Sequence, residues 1–476
     1  MTAFARSLLL PALLVTTAPL RSQVPESECA QRRAALAARL PESAVLLALG
    51  AREPREDFIT FVQAPRFWYL TGFLEPNAAL LIVKRGGAVS TTLFVLPRDP
   101  AREAWTGARL GTDGAAKRTG MRARPVTELR PAIDSALAGM KTLYAVADLD
   151  ASADLSVDDQ YIVSLQRGHP GLQLVNLAED VDSLRSRHSA AELALLKQAI
   201  DITVDAQRAA LGLIAPGKNE YEVQAIIEYT FRREGAERPG FATIAGSGPN
   251  ATSLHYSAND RPMAAGDLIV MDIGASWRGY TADVTRTAPV SGTFTTEQRA
   301  LYQVVRDAQA AAERQAKLGA SPLAMDDSAN AALTAGLARL GLIEGVDAVY
   351  DAPTGGCRRR LPEGCSQLSL YYDHGLGHGI GLEVHDPTVW DYRPNTIQPG
   401  AAFTIEPGVY IRENVFDILP DTPRNRAMTA KLKAAYLRYR SMGVRIEDDY
   451  FATERGVEWV SHAPREASEI EAAMKH

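Results

Sequence analysis

Residues 267–287 read DLIVMDIGASWRGYTADVTRT, and the pairing of this stretch decides the fold of the second half of the chain. Two apolar runs flank Ser276 to Gly279, a pattern that predicts a β-hairpin. Asp272 and Asp283 are equidistant from the midpoint between Trp277 and Arg278. A hairpin centred there sets the two carboxylates directly opposite each other, with Cβ atoms about 5 Å apart. Like charges so placed repel, and Asp is a poor strand former in any case. A cation between them would resolve the conflict. A shifted register with one Asp in solvent is the competing reading, and the hairpin alone does not choose.

Toward the C-terminus, residues 373–386 read DHGLGHGIGLEVHD. Glycines at 375, 377, 379 and 381 recur with period two, which suits an extended segment whose bare face lies close to backbone or ligand. His374 and His378 share the other face. His385 falls out of phase, so a bend must intervene for it to join them. Three of the eight histidines lie within twelve residues here, a metal or acid–base signal that no one of them carries alone. Glu406 ends the apolar run 402–405 before Pro407-Gly408, and Glu447 follows Val444-Arg445-Ile446. A Glu at a strand end is usually exposed. Together with Asp272, Asp283 and His378, however, the two make an oxygen-rich set with one imidazole, suited to paired divalent ions such as Mn or Co, with Zn possible.

Toward the N-terminus the texture changes. Apolar runs 44–49, 79–83 and 91–96 read as strands, and 30–40 as a helix before Pro41, so residues 26–185 predict an α/β domain. A charged stretch at 184–188 marks the boundary. Ser189-Ala-Ala-Glu192 has capping-box spacing and opens a helix that runs to Leu213, before Pro216-Gly217. A second helix is expected from Glu220 to Arg233, and the catalytic domain spans 189–470. The fold class is therefore α/β (α+β).

These motifs in this order resemble the pita-bread metallopeptidases, and most closely their aminopeptidase P (Xaa-Pro aminopeptidase) family. An Asp is followed eleven residues on by a second, then by HGLGHGIGLEVHD, TIEPGVYI and GVRIEDD. In the first half, FWYLTGF at 67–73 followed by Glu75-Pro76 is similar to that family's creatinase-type N-terminal domain. The resemblance covers nearly the whole chain. It implies that Asp272 binds one metal, that Asp283 and Glu447 bridge two, and that His378 and Glu406 hold the other. His255, His374 and His385 would be catalytic histidines, Glu406 would also move the water's proton, and Arg445 would orient the ligands. The implied reaction is hydrolysis of an N-terminal Xaa-Pro bond by a metal-bridged hydroxide, with Mn as the expected ion. Peptides with proline second are the expected substrates, and a dimer or tetramer the expected assembly. Segments 351–369 and 414–442 look like insertions relative to the family.

Composition bounds the alternatives. Fifty-seven acidic residues against 51 Lys and Arg give a net charge of −6, which excludes the basic footprint of a nucleic-acid binder. Arg6 precedes fourteen uncharged residues, Ser7 to Leu20, too few to span a bilayer and right for the apolar part of a secretory signal at 1–25. Export to a periplasm or the medium is then expected, and a cytoplasmic protein if this leader does not function. No later stretch reads as a membrane span. Cys357 and Cys365 bracket GGCRRRLPEGC and either bridge, worth roughly 2–3 kcal/mol, or stay as thiols. Rival functions are a prolidase cutting Xaa-Pro dipeptides, a methionine aminopeptidase, which would not need the first half, and a metal-free creatinase-like hydrolase, which would lack ligands. A silent binding protein is disfavoured by the full ligand set, and a di-metal phosphoesterase by the absence of a basic phosphate clamp among the motif residues.

Overall fold

The computed structural model describes residues 24–56, 59–147, 157–353 and 356–475; the apolar part of the expected leader lies outside them. The first half is built on one six-stranded sheet, from β1 (Ser43–Leu49), β2 (Ala79–Arg85), β3 (Ala88–Val95), β4 (Arg122–Pro125), β5 (Thr142–Val146) and β6 (Gln173–Asn176). Their order is β4-β3-β2-β1-β5-β6. The pairs β1–β2 and β2–β3 are antiparallel, whereas β3–β4, β1–β5 and β5–β6 are parallel. A mixed sheet covered on both faces needs apolar side chains on both sides of its central strands. In β1, Ala44 to Ala48 are accordingly all buried. Val45 and Leu47 enter one apolar cluster, and Leu46 and Ala48 the other.

The helix Glu26–Arg39 begins four residues before the expected start, because its first turn carries acids (Glu26, Glu28) rather than apolar residues and so hides from a hydrophobic pattern. The run FWYLTGF, read by its resemblance alone, forms the helix Pro65–Thr71, closed by Gly72 at φ +62°. The helix Ala190–Leu211 opens on the expected capping box: Ser189 Oγ accepts from Glu192 N at 3.2 Å, and Glu192 Oε2 accepts from Ser189 N at 2.9 Å. Buried Glu192 also ties the two halves together. It pairs with Arg32 at 2.9 Å and accepts from the Tyr280 hydroxyl at 2.8 Å.

In the second half, the helices Ala190–Leu211, Glu220–Arg233, Thr296–Glu313 and Pro322–Leu340 pack around short antiparallel strands. One sheet joins Ile244–Ser247, Leu268–Ile273 and Val284–Pro289, and another joins Ala402–Ile405, Asp448–Thr453 and Gly456–Trp459. Gln207 fixes the first to its helix by donating to Met271 O at 3.0 Å and Val284 O at 2.8 Å. Among the described residues no helix is long and apolar enough to cross a membrane.

Cys357 and Cys365 are joined, with Cα atoms 5.9 Å apart, and Cys29 is buried as a thiol. The bridged loop carries a small three-stranded sheet with Val349–Tyr350.

Candidate metal centre

The hairpin that carries the two aspartates exists, but its register differs from the one its spacing suggested. Trp277 pairs with Tyr280, so the turn is Arg278-Gly279 rather than one centred on Trp277-Arg278. Both turn residues have positive φ, +54° and +85°, the signature of a type I′ turn, whose twist matches that of the strands. Asp272 therefore faces Thr285, and Asp283 stands diagonal to Asp272 instead of opposite it. Between them Gly274 is obligatory, since a Cβ there would lie 1.8 Å from Ala282 O.

The Gly-rich segment is extended but makes only isolated bridges, Gly379 to Asp386 and to Phe403. Its bare face is used as expected for close approach. A Cβ on Gly377 would meet Thr404 O at 2.1 Å, and one on Gly379 would meet Asp386 O at 2.2 Å. The anticipated bend folds the chain back at 379–386 and brings the His385 ring to 4.3 Å from that of His378. Because Thr404 N donates to His378 O at 2.9 Å, Gly377→Ala should push the His378 strand off its neighbour. We expect a loss of about 1–3 kcal/mol together with weaker metal uptake, read by thermal melts with and without added Mn.

Asp272, Asp283, His378, Glu406, Glu447, His255, His374, His385 and Arg445 all line one cavity of about 610 Å³. Within it, one ligand atom each from Asp283, His378 and Glu447 lie within 4.8 Å of one another. His378 Nε2 is 3.4 Å from Glu406, 3.6 Å from Asp283 and 3.7 Å from Glu447. Asp272 accepts from Arg445 Nη2 at 2.5 Å.

The electrostatics of this cavity call for a cation. Buried polar atoms are normally hydrogen-bonded. Here Asp272 Oδ1, Asp283 Oδ1, Glu447 Oε1 and Asp449 Oδ1 are buried without a hydrogen-bond partner among the described residues. Burial and the adjacent Glu447 push the carboxyls of Asp283 and Glu406 far above the usual range. Burial would lower the His378 imidazole, but its contacts with Glu447 and Glu406 outweigh that and push it up to about 9. In a dry site, several carboxylates and one imidazole accept divalent cations readily, so the residues present fit a metal group.

His374 is different in kind. Burial and Arg445 push its imidazole down to about 3, so it is neutral at physiological pH. Arg445 Nη1 donates to the Tyr410 hydroxyl oxygen at 2.8 Å, and the Tyr410 hydroxyl lies 2.8 Å from His374 Nε2. Gly375 O, 2.8 Å from Nδ1, can only accept, so on the neutral ring Nδ1 carries the proton and Nε2 accepts from the Tyr410 hydroxyl. His255 and His385, by contrast, present exposed rings to the cavity.

Three functional neighbours escaped the sequence reading. Tyr410 lies in TIEPGVYI but was not singled out. Thr285 donates to Glu447 Oε2 at 2.6 Å, and Asp449 accepts from Asp283 N at 3.3 Å. Asp449 follows Glu447 in the EDD run, which was the one available signal. A hydroxyl inside an apolar strand gives none.

Residues 194–454 match the model of metallopeptidase family M24, and residues 29–144 match the aminopeptidase P N-terminal domain. The Xaa-Pro aminopeptidase of Haemophilus influenzae is 32% identical over 466 residues, covering 95% of this chain and 98% of the relative. Among solved structures, the low-pH form of Escherichia coli aminopeptidase P aligns with a TM-score of 0.80 at 31% identity, covering 95% of this chain and 99% of that one. Aminopeptidase PepP of Pseudomonas aeruginosa aligns at 0.79 and 31%, over 95% and 98%.

Proposed function

Because the chain belongs to metallopeptidase family M24 and carries an aminopeptidase P N-terminal domain, we propose that it removes the residue preceding a proline at the N-terminus of a peptide. The observation that carries this reading is the single cavity in which buried, unpartnered carboxylate oxygens meet three further imidazoles and a buried guanidinium.

In this reading Asp272, Asp283, His378, Glu406 and Glu447 hold two divalent ions, with Mn proposed and Co or Zn as alternatives. Such ions supply a nucleophile at neutral pH and polarise the scissile carbonyl. Glu406 takes the proton of the attacking water. An Xaa-Pro bond is a tertiary amide, so its nitrogen must gain a proton before it can leave. His385 and His255, exposed in the cavity, are the groups that can bring that proton to it. His374 has both nitrogens engaged and is uncharged, so it acts as a fixed wall beside Glu406, 3.5 Å away, rather than as a proton carrier. Arg445 clamps Asp272 and Tyr410 together and so sets the angle between the metal-binding hairpin and His374.

We take residues 26–185 as the domain that closes the cleft end and 189–470 as the catalytic one, in an assembly proposed to be a dimer or tetramer. The Cys357–Cys365 bridge favours an oxidising compartment, and hence an exported protein, since disulfides persist there.

The test is hydrolysis of Xaa-Pro-Xaa tripeptides beside Xaa-Pro dipeptides by metal-stripped protein resupplied with Mn. Tripeptide cleavage that returns with metal is the expected result. Cleavage of dipeptides alone would make the chain a prolidase instead.

A further inference from the structure

The bridged loop 357–365 is not part of the metal set, yet a short chain of contacts leads from it to His374. Arg358 follows Cys357 directly. Its guanidinium lies over the face of the Tyr372 ring, 4.4 Å from the centroid. Arg358 Nη2 donates to Asp326 Oδ1 at 2.6 Å and Nη1 to Asn330 Oδ1 at 3.3 Å. Both acceptors sit on the helix Pro322–Leu340, and Asn330 Nδ2 donates to the other Asp326 oxygen at 2.6 Å. The guanidinium is thus held in its plane from one side. Tyr372 is 1% exposed, and its ring meets that of His374 edge to face, with centroids 4.8 Å apart and planes at 79°. The Tyr372 hydroxyl donates to Gly375 O at 3.3 Å, the same carbonyl that accepts from His374 Nδ1.

We propose that Arg358 is a positioning residue for His374, acting through Tyr372, and that the Cys357–Cys365 bridge holds Arg358 in place. A planar cation fixed over an aromatic face restrains that ring, and a buried ring in edge contact restrains its neighbour. The bridge holds the backbone before Arg358 at Cys357, and two hydrogen bonds hold it after, where Ser366 N donates to Arg359 O at 2.9 Å and Arg359 N donates to Ser369 Oγ at 3.1 Å. Reducing the disulfide leaves the metal-binding residues untouched and frees the loop, so His374 loses its outer support. Reduction adds two protons and two electrons from a thiol reductant and yields two thiols.

The inference rests on the aminopeptidase reading only for its kinetic arm. The first arm is therefore NMR of metal-free protein with ¹³C-labelled histidine, the His374 signal being assigned with His374→Ala. Arg358→Ala, and separately Cys357→Ser with Cys365→Ser, should move the His374 ring signal as the Tyr372 edge contact changes, and leave the His188 and His462 signals in place. Arg358→Lys, which keeps the charge over the ring and the ion pair, should return part of the shift. In the second arm, Mn-loaded Arg358→Ala should lose about tenfold in kcat on an Xaa-Pro-Xaa tripeptide with KM and bound metal nearly unchanged, because only the alignment of a fixed group is lost. Adding Arg358→Ala to the double Cys variant should cost no more than either alone, the mark of a shared route. An unmoved His374 signal in folded Arg358→Ala, or in the folded double Cys variant should Arg358→Ala not fold, overturns the proposal, whatever the activity. A parent protein without activity, with the signal moved, would sink the peptidase reading and leave this one standing.

Discussion

Asp283→Ala is expected to lower tripeptide turnover by a factor on the order of 10³ or more and to reduce bound metal below the parent's content. Asp283 is buried, contributes one atom of the tight Asp283–His378–Glu447 triangle, and has one oxygen with no hydrogen-bond partner among the described residues. The same facts predict the opposite sign for stability without metal. A carboxyl whose pKa is raised by folding destabilises the folded state as pH climbs above its unfolded value of about 4, and the penalty grows until the folded value is reached. Metal-free Asp283→Ala should therefore melt at or above the metal-free parent, and the gap should widen from pH 5 to pH 8. With Mn added the parent should rise in melting temperature and the variant should rise far less. Melting curves with and without chelator at the two pH values, beside metal analysis, test both signs. A variant that still binds a full metal complement would overturn the assignment of Asp283.

The largest stability effect is expected at Arg286, which follows Thr285 on the same strand and is wholly buried. Its guanidinium donates to Asp448 Oδ1 at 2.6 Å, Glu447 O at 2.7 Å, Thr285 O at 2.8 Å, Pro464 O at 2.6 Å and Ala463 O at 3.2 Å. A single side chain thus fastens the aspartate hairpin to the segment that carries Glu447 and Asp448. Arg286→Met removes the cation from Asp448 and takes a donor from the carbonyls of Thr285, Glu447, Ala463 and Pro464 in a buried interior. Breaking a buried pair from one side typically costs about 3–5 kcal/mol, which at about 2 cal/mol/K per residue corresponds in a chain of this size to a melting shift of roughly 3–5 °C. Asp448→Ala would not be an equivalent test, because Asp448 also accepts from Gln309, Ser461 and Arg465. Asp448 keeps those three donors in Arg286→Met, so adding Asp448→Leu should deepen the loss rather than relieve it. Thermal and urea midpoints measure it, and a shift of less than 2 °C in Arg286→Met would refute this account.

Much of the candidate site was legible because its chemistry violates local rules. Aspartates inside apolar strands, a glycine at every second position and a Glu at each of two strand ends are poor choices for a soluble fold unless something binds there. The same reasoning found the capping box at Ser189, whose two hydrogen bonds are set by residues three apart. It also left the bridge between Cys357 and Cys365 open, because pairing depends on whether the chain brings the two Cα atoms to 5.9 Å.

What the sequence determined by itself is the set of groups and their order, Asp272, Asp283, His374, His378, His385, Glu406 and Glu447, and the α/β half before them, with His255 and Arg445 added only by the family resemblance. Spacing along a chain is a local quantity, and these signals are local. Tertiary structure alone decided how the groups face one another. The hairpin register turned on the positive φ that Arg278 and Gly279 both adopt, which moved Asp283 from opposite to diagonal. The partner of His374 Nε2 is Tyr410, 36 residues away, which Arg445, 71 residues away, holds by a hydrogen bond to its hydroxyl oxygen. The links Arg286–Asp448 and Arg32–Glu192 likewise join residues more than 150 positions apart, and no pattern within a strand or helix records a partner at that distance.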